Sequence, residues 1–250
     1  MSTEALVLSA AMAAAAGLIG CFALVRRMTL AADALSHVAL PGIGVALALH
    51  IHPIFGAGAM LMFGALLVWA VEDRSRLATE TVIGVLFSTA LAIGSLITSG
   101  EDLLEALLGQ TSEVSVTETL AGLIAAAMVM AFVLLRRNAL LVSVVSPDIA
   151  RTAGINVRRL DLVYLLMFAL TVALGLRYLG VLLMGSLIII PAATAKRLSS
   201  NLSEMLTIAA VLAIIATVSG SYLAVWLHRE TGPIIVSIAA AGFLLSLLRR

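Results

Sequence analysis

Charge is scarce in this chain. Of its 250 residues only 12% are Asp, Glu, Lys or Arg, while 62% are hydrophobic, and the mean hydropathy is +1.16. Soluble domains carry about 25% charged and about 45–50% apolar residues. So little charge cannot cover a water-facing surface of this size, and the apolar residues must meet lipid. The net charge of +1 supplies no basic face for nucleic acid, and aromatics, at 5%, are too few to interleave with Lys and Arg for base stacking. Cys21 is the single cysteine, which excludes an intrachain disulfide and a Cys-based metal knuckle. Lys196 is the single lysine and no glycine pattern precedes it, so there is no G-x-x-x-x-G-K-[ST] phosphate loop to hold ATP. H-E-x-x-H and G-x-S-x-G are absent as well, which removes the usual supports for an intramembrane hydrolase.

What the chain has is long apolar runs. A spanning helix needs about 20 such residues, because the hydrocarbon core is about 30 Å thick, and backbone groups in lipid must be satisfied within the helix. Nine candidate runs stand out: Ala5–Val25, Leu30–His50, Ile54–Val71, Thr81–Thr98, Thr119–Leu135, Leu160–Leu176, Leu179–Ala195, Glu204–Trp226 and Pro233–Leu248. The pair flanking Arg177–Tyr178 is the weakest, so eight or nine spans are expected. The first run follows Glu4 and has no Lys or Arg before Arg26, which suits a retained span better than a cleaved signal. The expected fold is all-α, one polytopic transmembrane bundle over residues 1–250.

Charge placement sets the orientation. With the N-terminus outside and the spans alternating, 13 of the 15 Lys and Arg fall inside, and only Arg177 and Arg229 fall outside. The positive-inside rule selects this orientation. The longest outside loop, 99–118, holds Glu101, Asp102, Glu105, Glu113 and Glu118 and no basic residue. It is either a solvated acidic loop or a mouth that concentrates cations.

The second run carries Asp33 and His37, spaced i, i+4. That spacing puts both side chains on one helix face with Cβ atoms roughly 5–6 Å apart. Titratable groups in a span are costly and usually face a polar pathway. A carboxylate with an imidazole suits a borderline cation such as zinc or manganese. Two plainer readings stand beside this one: Asp33 caps the start of the helix near Arg27, or the two groups satisfy each other in the core. Pro41 and Gly42 follow, and Pro191 interrupts a later run. These are candidate helix breaks lining a pathway, or ordinary kinks and close-packing positions. His50 and His52, at the outer end of the second run, are weaker candidates for handing a metal inward. This topology puts Asp33 near the cytoplasmic end of its span, although a transit site reached from outside is easier to picture deeper.

Between Arg136 and Arg159 lies the longest inside loop. Ser146 suits an N-cap, Pro147 the first helical position, Asp148 the positive end of the helix dipole, and Gly154 the C′ stop. A short capped helix near 147–154 is expected there, either as a docking handle for another protein or as a connector lying on the lipid surface.

These residues carry a resemblance. Asp33-Ala-Leu-Ser-His37-Val-Ala-Leu-Pro41-Gly42 resembles the D-x-x-S-H-x-x-L-P-G signature of the zinc/manganese/iron-type permeases of ABC importers. Ser146-Pro-Asp-Ile-Ala-Arg-Thr-Ala-Gly154 is similar to that family's cytoplasmic coupling segment, and Leu187-Ile-Ile-Ile-Pro191-Ala-Ala-Thr-Ala195 to its seventh-span motif. Ser219-Gly-Ser-Tyr222 followed by Thr231-Gly-Pro233 resembles its C-terminal pattern, although the family more often has proline before that threonine-glycine. The likeness runs from about Leu24 to the C-terminus. It implies a homodimeric permease in the cell membrane, two cytoplasmic ATP-binding subunits and an extracytoplasmic metal-binding protein. It also implies that Asp33 and His37 contact the transported zinc or manganese (iron being a third candidate), that no cofactor is bound, and that Pro147, Asp148, Ala150 and Gly154 belong to the coupling segment. Two rival functions are a secondary transporter using Asp33–His37 as a proton relay and an ABC permease for a metal chelate.

Overall fold

A computed structural model describes residues 3–29, 31–51, 53–75, 77–97, 116–178 and 181–248. The acidic segment 99–115, His52 and Arg76 lie outside the described residues. Among those described there are ten helices and no strand: α1 Thr3–Val25, α2 Ala31–Ala48, α3 Pro53–Ser75, α4 Thr79–Ile97, α5 Val116–Val145, α6 Pro147–Thr152, α7 Val157–Tyr178, α8 Val181–Leu198, α9 Leu202–Leu227 and α10 Thr231–Leu247. Each of the nine apolar runs overlaps one helix. Among the described residues six helices (α1, α2, α3, α5, α7 and α9) are long and apolar enough to cross a membrane, and Thr79–Gly94 and Thr231–Leu247 are shorter apolar helices.

α1 is the hub. Every residue from Met12 to Ala23 is buried, so this helix is apolar all round, as a fully enclosed helix must be. Small side chains make the enclosure possible. A Cβ on Gly17 would come within 2.8 Å of the Ala209 carbonyl oxygen on α9, and one on Gly20 would collide with the Ile188 carbonyl on α8. Lipid offers no hydrophobic drive between helices, so close approach through small residues is what holds them together. The same device joins α2 to α3, where Gly42 and Gly56 face each other and a Cβ on either would strike the other's carbonyl.

Two details differ from expectation. α5 runs ten residues past Leu135, through Arg136 and Arg137 to Val145, because charged residues end an apolar run without ending a helix. Pro41 and Pro191 do not break their helices: α2 and α8 are continuous through them, and Pro41, Gly42 and Pro191 are all buried. Each proline removes one backbone donor, a loss that helices in membranes tolerate when neighbours support them. The segments flanking Arg177–Tyr178 are both regular helices.

Three helices end on a residue other than glycine in the left-handed region: Arg27 (φ 60°), His50 (φ 55°) and His228 (φ 51°). The Met28 amide bonds the Ala23 carbonyl at 2.8 Å and the Arg27 amide that of Leu24 at 3.2 Å, which is a Schellman closure of α1. Glycine adopts this conformation without penalty. Arg27→Gly is therefore expected to stabilise the chain by about 1 kcal/mol, read as a raised thermal unfolding midpoint.

Candidate functional site

Asp33 lies in the first turn of α2 and is exposed. Among the described residues it makes no hydrogen bond and no ion pair. Neither capping of the helix start nor pairing with His37 therefore accounts for it. His37, one turn on, is half-buried, and its Nδ1 is buried with no hydrogen-bond partner. Leaving such a group unsatisfied costs about 1–3 kcal/mol. The imidazole packs edge-on against Phe87 of α4, with ring centroids 5.4 Å apart and planes at 62°. Pro41 withholds the N–H that would otherwise bond the His37 carbonyl four residues earlier. Side chain and backbone of His37 thus both lose an ordinary partner at one level of the helix.

Packing against α8 fixes where Asp33 sits along that helix. Gly185 has no side chain, and a Cβ there would lie 3.6 Å from Cα, Cβ and N of Asp33. Gly185 precedes Lys196, in the last turn of α8, by eleven residues, or about 16 Å at 1.5 Å per residue. That is about half the hydrocarbon thickness. Asp33 lies in the first turn of α2, yet packs about three turns away from the basic end of α8.

The other candidates lie apart. His50 is exposed at the far end of α2, thirteen residues and about 20 Å from His37. No three His, Cys, Asp or Glu gather around one point among the described residues, so the Asp33–His37 pair stands without a third protein ligand there. Phe87 carried no signal in the sequence, since an aromatic in an apolar run reads as core. Nor did any sequence pattern mark Gly185 as Asp33's neighbour.

The short helix is formed as its residues dictate. Ser146 is the N-cap of α6, with its Oγ accepting from the Ile149 amide at 3.5 Å, and Pro147 opens the helix. Asp148 and Arg151 pair at 3.1 Å on the exposed face, while Ala150 is buried. Gly154 follows at φ +79°, with the Ile155 amide closing onto the Ala150 carbonyl at 3.0 Å. A Cβ at Gly154 would meet nothing within 4 Å. The expected cost of Gly154→Ala is therefore conformational alone, about 1 kcal/mol, measurable as a lowered unfolding midpoint without loss of expression.

A bundle of helices, six of them long and apolar enough to cross a membrane among the described residues, fits a multi-pass membrane protein. Over residues 1–250 the sequence matches the ABC 3 transport family, and the chain belongs to that family. It is 30% identical over 249 residues to the manganese transport system membrane protein MntC of Listeria innocua, a match covering 98% of this chain and 89% of that one. It is 28% identical over 238 residues to the high-affinity zinc uptake system membrane protein ZnuB of Haemophilus influenzae, covering 93% and 91%. Among solved structures, that of PsaBC from Streptococcus pneumoniae in complex with Fab matches with a TM-score of 0.82 at 26% identity, over 98% of this chain and 90% of that one. The chain is a transport subunit rather than an enzyme.

Proposed function

We propose that this chain is the membrane-spanning subunit of an ATP-driven importer of a divalent transition metal, zinc or manganese. It acts as one membrane domain of nine spans in a homodimer, with its N-terminus outside and its C-terminus inside. Two cytoplasmic ATP-binding subunits dock on α6, and an extracytoplasmic metal-binding protein delivers the ion. The observation that carries this reading is the unpartnered Asp33–His37 pair on one helix of a chain of this family. A carboxylate and a neutral imidazole are ligands common to zinc and manganese, and water, the binding protein or the second copy completes the coordination.

The contacts between helix ends support the orientation. Arg26 after α1 meets Asp161 near the start of α7, Trp69 near the end of α3 meets Arg158, and Arg137 of α5 meets Ser203 at the start of α9. These basic groups share one end of the bundle, as alternation with that end inside requires.

Reconstitution in liposomes with the ATPase and the binding protein tests the reading. Uptake of bare zinc or manganese that requires ATP is the expected result. Uptake driven by a pH gradient without ATP would replace it with a proton-coupled transporter, and uptake of a chelate but not the bare ion with a chelate permease.

A further inference from the structure

One partly buried ion pair joins the two parts of the molecule that the proposed cycle must connect. Arg26 Nη2 bonds Asp161 Oδ1 at 2.7 Å, with side chains only 12% and 33% exposed. The Arg26 guanidinium also lies over the ring of Tyr164, 4.4 Å from its centroid, and the Tyr164 hydroxyl donates to the Ile19 carbonyl at 3.3 Å. The end of α1 and the first two turns of α7 are thereby fastened at three points. Arg158, at the start of α7, is fastened in turn to α3: its guanidinium lies 4.7 Å from the centroid of the Trp69 ring, and its carbonyl accepts from Trp69 Nε1 at 3.0 Å.

Position gives the pair its meaning. Asp161 lies in the second turn of α7, which begins five residues after α6 ends. Arg26 opens the turn that leads to α2, seven residues before Asp33. A chain with 12% charged residues has placed two of them, half-buried and facing each other, between the docking helix and the metal pair. Stability is a poor reason for doing so, because pairs that water reaches contribute little and apolar replacements of buried ones are often neutral or stabilising, whereas a fixed register between elements is a well-attested use of such pairs. Arg26 Nε is moreover buried with no hydrogen-bond partner. The guanidinium is satisfied on one side only, which is wasteful in a purely static clamp.

We propose that Arg26 and Asp161 are positioning residues that couple α6 to Asp33. Movement imposed on α6 by the ATP-binding subunits shifts the first turns of α7, and the charge-assisted bond carries that shift to the turn from which α2 starts. The inference rests on the proposed role of Asp33 and His37.

The test uses the assembled permease–ATPase complex in liposomes with its binding protein, and Mn²⁺ as the probe. Asp161→Asn keeps the shape and removes the charge, and Asp161→Glu keeps the charge. The expected result for Asp161→Asn is preserved Mn²⁺ binding by the nucleotide-free complex and preserved basal ATP hydrolysis, with Mn²⁺ imported per ATP falling by about 10–100-fold. Asp161→Glu restores most of that ratio. An unchanged ratio in Asp161→Asn overturns the inference. So does a fall of uptake, hydrolysis and assembled complex in the same proportion, which is what a merely structural pair would give. The metal reading fails separately: Mn²⁺ binding that survives Asp33→Ala/His37→Ala refutes it, whatever Asp161→Asn does.

Discussion

Exchanging Asp33 and His37 together for alanine is expected to lower ATP-driven metal uptake by about 100-fold or more, while the complex assembles and continues to hydrolyse ATP. The size follows from what the two groups supply. Partners that merely orient metal ligands are worth about 10–100-fold in affinity, and these side chains are proposed as ligands themselves. The variant folds because neither group holds the bundle together: Asp33 has no hydrogen bond or ion pair among the described residues, and His37 Nδ1 is an orphan. Removing a buried unsatisfied nitrogen is, if anything, stabilising. Each single substitution is expected to cost nearly as much as the double, since the two act on one ion. ATP hydrolysis persists because it takes place in separate chains. Filter-based radiometal uptake, with ATPase activity measured in parallel, separates the two effects.

The second large effect is structural. Gly42→Leu is expected to destabilise the chain by about 3 kcal/mol and to abolish uptake, through a site more than a turn from His37. A Cβ at Gly42 would lie 2.8 Å from the Gly56 backbone carbon and 2.6 Å from Met60 Cβ, and one at Gly56 would lie 2.6 Å from Ala46 Cβ. None of these atoms is the far end of a flexible side chain. The two backbones must separate, which places the cost at the upper end of the usual overpacking range. As α2 moves, Asp33 leaves Gly185 and the His37 ring leaves Phe87. Gly58→Ala on the same helix as Gly56 is the matched control, because a Cβ there meets nothing within 4 Å. The unfolding midpoint in detergent is expected to fall by several degrees for Gly42→Leu and to stay or rise slightly for Gly58→Ala.

Helices and their order were legible in the sequence because apolar length carries the signal: a run of about 20 such residues has no other comfortable state than a spanning helix. The capping of α6 was legible for a different reason, since Ser146, Pro147 and Gly154 act on their own backbone and need no distant partner. The packing of Asp33 was not legible, because its neighbour Gly185 lies 152 residues away in the chain. Pro41 and Pro191 suggested breaks because a proline's local effect is known and the support from neighbouring helices is not. The Arg26–Asp161 bond, between residues 135 apart, left no pattern at all beyond two charges in a chain that has few.

In the proposed importer the transported ion rests on Asp33 and His37. The most direct measurement is a structure of the assembled complex soaked in Mn²⁺, with anomalous scattering used to locate the ion. Ligation by these two side chains predicts a manganese peak within bonding distance of the Asp33 carboxylate and the His37 imidazole, absent in the Asp33→Ala/His37→Ala variant. A peak elsewhere in the bundle that persists in that variant would contradict it.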